Sequence, residues 1–208
     1  MQTVHGTSSE PQSNSERSRT ALLASYEKDD NLLKLGKLLK NHGWEMLGSA
    51  GTSKYLNDSG IACRDVAEIV GKPILGHRVV TLSREIHAAL LSTPADAAEM
   101  KKLGIEPIDL VYVTLYPLEQ TISDPNAKPE DVLEQTDIGG PTLLRAAAKG
   151  RRIVLSDPSQ IEMIENWFVR GASDAEREAF TNKLVAAAER RVANYVAASA
   201  NYWENKIS

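Results

Sequence analysis

The chain has a single cysteine, Cys63, among 208 residues, so neither an intrachain disulfide nor a cysteine-based zinc cluster can form. No apolar run approaches the ~20 residues that a membrane-spanning helix needs, and no basic, apolar, small-residue leader opens the chain, which points to a soluble, cytosolic protein without a membrane partner. An excess of positive charge is also missing. Lys and Arg number 24 against 28 Asp and Glu, a formal net charge of −4, so the chain does not hold nucleic acid through bulk charge. A local cationic pocket for one phosphate stays open. Aromatic residues make up only 5%, which leaves the core to Leu, Val, Ile and Ala. What is present is an ordinary globular composition, 42% hydrophobic and 25% charged, with the length of one domain.

Residues 1–19 are polar and turn-rich and read as a disordered tail, because they cannot bury enough apolar surface to offset their ordering entropy. Strand candidates then alternate with helical ones. Residues 20–26, 44–49, 61–66, 109–116 and 152–155 read as strands. Residues 32–42, capped by Asp29, Asp30 or Asn31 and stopped by Gly43, together with 52–59, 84–91, 96–103, 129–135 and 142–149, read as helices. This alternation predicts an α/β fold with a mostly parallel sheet and helices on both faces. Ser173 with Glu176 forms a capping box for a long Ala-rich helix reaching about Glu204, with Phe180, Leu184, Ala187, Val192, Tyr195 and Val196 on its apolar face. It is expected to pack on the α/β core or on a second subunit.

In open α/β sheets ligands sit beyond the carboxyl ends of the strands, and four such ends are decorated here. They are Tyr26-Glu27-Lys28, the small-residue turn Gly48-Ser49-Ala50-Gly51-Thr52, the segment Thr114-Leu115-Tyr116-Pro117, and Asp137-Ile138-Gly139-Gly140-Pro141-Thr142 running on to Arg145 and Lys149. The second could cradle a phosphate at a helix N-terminus. Each residue also has a plainer reading. Asp137 suits a turn or cap, Tyr116 a core ring with a wet hydroxyl, Lys149 a helix C-terminus and Arg78 an open surface. His77 and His87 have no useful metal-ligand spacing, and Cys63 lies in an apolar run as an inert core thiol.

In this order the segments resemble the IMP cyclohydrolase domain of the bifunctional purine-biosynthesis enzyme, whose core is methylglyoxal-synthase-like. Residues 20 to about 204 carry the resemblance, most specifically through Asp137-Ile-Gly-Gly-Pro-Thr-Leu-Leu-Arg-Ala-Ala-Ala-Lys149. It implies dehydrative ring closure of 5-formamidoimidazole-4-carboxamide ribotide to inosine monophosphate, with neither cofactor nor metal. It sets Lys28, Ser49, Gly51, Thr52, Arg78 and Thr81 around the ribotide phosphate and Thr114, Ile138, Gly139 and Gly140 against the base. Asp137 would take the carboxamide proton, with Lys149 or Tyr116 at the oxygen that leaves. A homodimer is expected, and so is a separate formyltransferase, since the chain has no room for that half of the bifunctional enzyme.

Several positions depart from the family pattern, among them Ala24, Ala50 and Thr114, and one departure touches the chemistry. Where the family carries Gly-Arg-Val-Lys-Thr-Leu-His-Pro, this chain has His77-Arg78-Val79-Val80-Thr81-Leu82-Ser83-Arg84, so a family lysine that takes part in catalysis is Val80. A group of that kind contributes roughly 10²–10⁴-fold in rate where it acts. His77 or Arg84 could supply the lost cation. The phosphate anchors survive while the base-facing wall is rebuilt, which leaves three readings: a cyclohydrolase, a paralogue acting on a different purine-like ribotide, and a non-catalytic nucleotide-binding module.

Overall fold

A computed structural model describes residues 18–76, 78–169 and 173–207. Five parallel strands form one sheet in the order β3-β2-β1-β4-β5: β1 (Thr20–Ser25), β2 (Glu45–Gly48), β3 (Arg64–Asp65), β4 (Leu110–Thr114) and β5 (Ile153–Leu155). Central β1 and β4 are apolar on both faces: Ala21, Leu22, Leu23, Leu110, Val111 and Tyr112 are fully buried, as a parallel strand covered by helices requires. The chain runs outward from β1 to β3 and then returns past β1 to β4 and β5. The direction of winding therefore reverses between β1 and β4, and a crevice opens there at the strand ends.

The first half contributes α1 (Asp30–Asn41), α2 (Ala50–Asp58) and a short α3 (Ala67–Val70). Leu32, Leu35 and Leu39 bury one stripe of α1, and the Asp29 carboxylate caps it by accepting from Leu32 N at 3.0 Å. The return passes through α4 (Arg84–Leu91), a 3₁₀ turn (Pro94–Asp96) and α5 (Ala97–Leu103), which Gly104 ends in the left-handed conformation at φ 66°. Beyond β4 come α6 (Leu118–Ser123), α7 (Pro129–Glu134) and α8 (Gly139–Lys149). After β5 follow a second 3₁₀ turn (Pro158–Gln160), α9 (Ile161–Val169) and α10 (Asp174–Glu204). The helix α8 packs on β4, β5, α4 and α10, whereas α1 packs on β2, α2 and α9.

Several boundaries differ from the sequence reading. The third strand shrinks from 61–66 to two residues, because the Asn57 side chain replaces a neighbouring strand: its amide donates to Cys63 O at 2.7 Å and its oxygen accepts from Cys63 N at 3.1 Å. The helices expected from 52 and 142 begin earlier, at Ala50 and Gly139. α6 and α9 were not anticipated. The capping box of α10 forms as expected, with Ser173 Oγ donating to Glu176 Oε2 at 2.6 Å and Glu176 N donating to Ser173 Oγ at 3.4 Å. The apolar face of α10 needs correcting at Val196, which is 55% exposed. Of the expected tail, residues 1–17 lie outside the described residues; Arg19 is part of the fold, its carbonyl accepting from Glu45 N at 2.8 Å. Among the described residues no helix is long and apolar enough to cross a membrane.

Candidate functional site

The crevice at the β1/β4 reversal is a cleft of about 840 Å³. Its construction begins with a register pair. Ser25 ends β1 opposite Thr114 at the end of β4, and their hydroxyls are 2.8 Å apart. Thr114 Oγ1 also accepts from Tyr26 N at 2.7 Å, which fixes the turn that carries Tyr26 and Lys28. The Lys28 ammonium donates to the carbonyls of Ser25 and Tyr26, and the Cε of Lys28 would come within 3.3 Å of a Cβ on Gly51. The cation therefore lies over the first turn of α2, and burial lowers its pKa. A desolvated ammonium beside a helix N-terminus is an environment in which an anion restores what hydration was lost.

Ser49 and Gly51 line this end of the cleft, but Thr52 does not. Thr52 is fully buried; its hydroxyl accepts from Ser25 N at 3.1 Å and from Ser49 Oγ at 3.0 Å, binding α2 to the end of β1. The sequence reading set Thr52 at a phosphate; in the structure its side chain lies beneath the cleft lining and faces the end of β1. Arg78 and Thr81 both line the cleft. Arg78 pairs with Glu134 Oε2 at 2.9 Å on the rim, a partner the sequence reading missed. Thr81 is buried, with its Oγ1 3.1 Å from where a Cβ on Gly139 would stand.

The other end of the cleft is built by the link between α7 and α8. Asp137 Oδ1 accepts from Gly140 N at 2.9 Å, so the carboxylate caps α8 and lines the cleft at once. Its plain reading as a cap holds, and the capping carboxylate also faces the cleft. Burial raises the Asp137 pKa above the usual carboxylate range, against the opposing pull of N–H donors from Gly140, Tyr116 and Gly139. A Cβ on Gly140 would overlap Asp137 Oδ2, so only glycine lets the carboxylate lie on this helix end. Tyr116 lines the cleft with its ring against Tyr26, centroids 5.2 Å apart. Burial, and then the nearby Asp137 charge, raise the Tyr116 phenol pKa, which keeps it a proton-bearing donor at neutral pH. Thr114, Ile138, Gly139 and Gly140 complete this wall, and Ile138 is 59% exposed.

Lys149 is not in the cleft. It is exposed at the far end of α8, about 15 Å along the helix from Gly139 at 1.5 Å per residue, the favourable place for a cation at a helix C-terminus. Val80 lines the cleft with its side chain packed against the core, so an apolar surface stands where a cation was expected. Arg84 is exposed at the start of α4 and outside the cleft lining, while His77 lies outside the described residues. Among the described residues no cluster of His, Cys, Asp or Glu is arranged to hold a metal ion. Burial pushes the Cys63 thiol up to about 12, consistent with an inert core residue. Sequence reasoning placed Tyr195 on an apolar helix face but missed its polar role: its hydroxyl reaches the backbone on both sides of Thr136.

A model of the MGS-like domain family matches residues 31–142. The bifunctional purine biosynthesis protein PurH of Thermosynechococcus vestitus (strain NIES-2133 / IAM M-273 / BP-1) is 46% identical over 151 residues, covering 69% of this chain and 29% of that protein. PurH of Synechococcus sp. (strain WH7803) is 38% identical over 195 residues, 90% of this chain and 36% of that protein. The chain thus spans about a third of the length of these curated relatives. The crystal structure of ForH superimposes with a TM-score of 0.74 at 31% identity, covering 89% of this chain and 99% of that one.

Proposed function

The chain belongs to the MGS-like domain family, and on that premise we propose that its cleft binds a purine-type ribonucleotide and closes the second ring of the base. The reaction is dehydrative cyclisation of 5-formamidoimidazole-4-carboxamide ribotide to inosine monophosphate, or of a closely related ribotide. The reading rests on one observation above all. Asp137 and Tyr116, a base and a proton-bearing phenol, line the same cleft as Lys28 and the N-terminus of α2. The end of β4, which leads to Tyr116, and the end of β2, which leads into α2, are two strand spacings apart along the sheet edge, about 10 Å. A ribose 5-phosphate bridges such a span.

The carboxamide nitrogen is a weak nucleophile and the formamide carbon a weak electrophile, so most of the acceleration comes from holding them together. As the nitrogen attacks, a C–N bond forms and the carbonyl π pair moves to oxygen. Asp137 takes the N–H proton, and Tyr116 donates a hydrogen bond to the oxygen as its charge develops. The protonated Asp137 then returns its proton to that oxygen, and the resulting hydroxyl leaves as water with the proton of the formamide N–H, as the C=N bond forms between the tetrahedral carbon and the formamide nitrogen. Lys28, Ser49, Gly51, Arg78 and Thr81 hold the phosphate, with Arg78 exchanging Glu134 for the ligand. Thr114, Ile138, Gly139 and Gly140 frame the base. In this reading the protein works as a cytoplasmic homodimer on a ribotide that a formyl-transfer reaction has supplied.

Val80 favours a variant of this reading, in which the apolar wall accepts a related ribotide rather than the imidazole carboxamide itself. Incubation of the purified chain with the formylated imidazole ribotide, with product followed by absorbance and chromatography, tests the two. Inosine monophosphate formed above the uncatalysed rate supports the first; product only from a related ribotide supports the second. Tight nucleotide binding without turnover of either would overturn both and leave a binding module.

A further inference from the structure

The C-terminal helix bonds to the segment that carries Asp137 through the hydroxyl of Tyr195. Tyr195 of α10 is 1% exposed, 58 residues beyond Asp137. Its hydroxyl accepts from the Asp137 backbone N–H at 2.8 Å and donates to the Gln135 carbonyl at 2.9 Å. α7 ends at Glu134 and α8 begins at Gly139, so residues 135–138 are the irregular link that carries the carboxylate. Gln135 N bonds back to Asp131 O and Thr136 Oγ1 to Val132 O, which ties the start of the link to α7. The carboxylate bond to Gly140 N ties its end to α8. Tyr195 holds the middle, and the Gln135 side-chain oxygen, buried without a partner among the described residues, gives no second tether there.

The helix bearing Tyr195 is itself anchored near this residue. Arg191 pairs with Glu119 of α6 at 2.5 Å and lies over the Tyr195 ring at 5.7 Å, and Arg145 of α8 pairs with Glu189 at 3.3 Å. The hydroxyl is therefore a fixed point against which the link is set. We propose that Tyr195 is a positioning residue for Asp137: by bridging the Gln135 carbonyl and the Asp137 N–H, it holds the turn that aims the carboxylate into the cleft. This rests on the reading of Asp137 as the base, and it makes α10 a functional part of the site. A phenylalanine would fill the same space but leave two backbone groups unpartnered, and a shift of even 1 Å in a catalytic group costs on the order of 10²-fold in rate.

The test compares Tyr195→Phe with Val192→Ala, which trims a buried apolar residue one turn earlier on the same helix. Tyr195→Phe is expected to lower kcat about 10- to 100-fold with KM within about 3-fold, because the phosphate anchors lie at the other end of the cleft. The Asp137 carboxyl, followed by ¹³C NMR and assigned with Asp137→Asn, should titrate higher in Tyr195→Phe as its N–H donors loosen. Val192→Ala should lose stability and change neither quantity. Wild-type kcat with an unmoved Asp137 titration in Tyr195→Phe, or the same losses in Val192→Ala, would overturn the proposal. If the wild-type chain closes no ring, the functional reading fails, while the Asp137 titration in Tyr195→Phe still decides the positioning role. Should Tyr195→Phe not fold, 3-fluorotyrosine at position 195 keeps the ring and weakens the hydroxyl as an acceptor, and the same titration is read.

Discussion

Replacing Gly140 by alanine puts a methyl group where the structure has no room for one. The new Cβ would overlap Asp137 Oδ2 and stand 2.6 Å from Leu115 Cδ2, a core side chain. Leu115 can give way only by disturbing its neighbours, so the carboxylate must swing off the helix end and lose its 2.9 Å bond from Gly140 N. A hydrogen bond to a charged group is worth about 1.5–3 kcal/mol, and overpacking a core adds about 1–3 kcal/mol. Against this, alanine gains up to about 1 kcal/mol in helix propensity. The net loss is about 1.5–5 kcal/mol, which lowers the urea midpoint by roughly 0.5 M or more at the usual slope for a small protein. Turnover should fall by at least about 10²-fold, since the displaced group is the base. Gly139→Ala is the internal control: its Cβ would meet only the Thr81 hydroxyl, at 3.1 Å, and Asp137 Oδ1 at 4.0 Å, so its effect should be clearly smaller. Urea titration of both variants, with turnover measured on the folded fraction, decides the matter. A Gly140→Ala protein as stable and as active as its parent would mean that the carboxylate does not lie on the end of α8.

Further outcomes follow from the same geometry. Lys28→Ala should weaken binding of inosine monophosphate about 10-fold or more by calorimetry, the worth of a charge-assisted contact, and leave inosine binding unchanged; equal losses for both would remove Lys28 from the phosphate site. Because burial raises the Asp137 pKa, its folded form binds a proton more tightly than the unfolded chain does; the stability this provides is full in acid and lost as pH rises through the raised value. Asp137→Asn should therefore be no less stable than wild type near neutral pH in thermal melts, and the acid limb of kcat/KM in the parent should lie above the ordinary carboxylate range. Val80→Lys should raise turnover of the imidazole ribotide if the rest of the wall suits it, with the ammonium reaching into the cleft from a half-buried stem; an unchanged rate, read by product chromatography, would point to a wall shaped for another base.

Local pattern made most of the architecture legible. Apolar runs bounded by turn residues marked β1 and β4, and the capping signals at Asp29 and Ser173 hold in the structure. The small-residue turn Ser49 to Gly51 does lie at a strand end on the cleft, because parallel strands bring their carboxyl ends to one edge; Asp137 to Gly140, read as another strand end, instead reaches the cleft from the link between two helices. What the sequence hid is tertiary. β3 looked like a strand because Ile61 and Cys63 are buried, yet an asparagine side chain takes up the backbone groups that a strand would have paired. Lys149 belongs to the same motif as Asp137, but a straight helix carries it away from the cleft, as its rise of 1.5 Å per residue requires. Thr52 points inward for a similar reason, its hydroxyl taken up by the end of β1. Neither Arg78 with Glu134 nor Tyr195 with Gln135 and Asp137 could be paired from spacing, since each contact spans more than fifty residues.

The central claim is that Asp137 takes the proton as a ribotide bound in this cleft closes its ring. Its most direct test is a paired measurement on Asp137→Asn: turnover of the formylated ribotide, and affinity for inosine monophosphate. The amide keeps the size of the side chain and an oxygen to accept from Gly140 N, but cannot act as the base. Affinity is expected to stay within about 3-fold of wild type and turnover to fall by roughly 10²–10⁴-fold. Full turnover with unchanged affinity would contradict the claim.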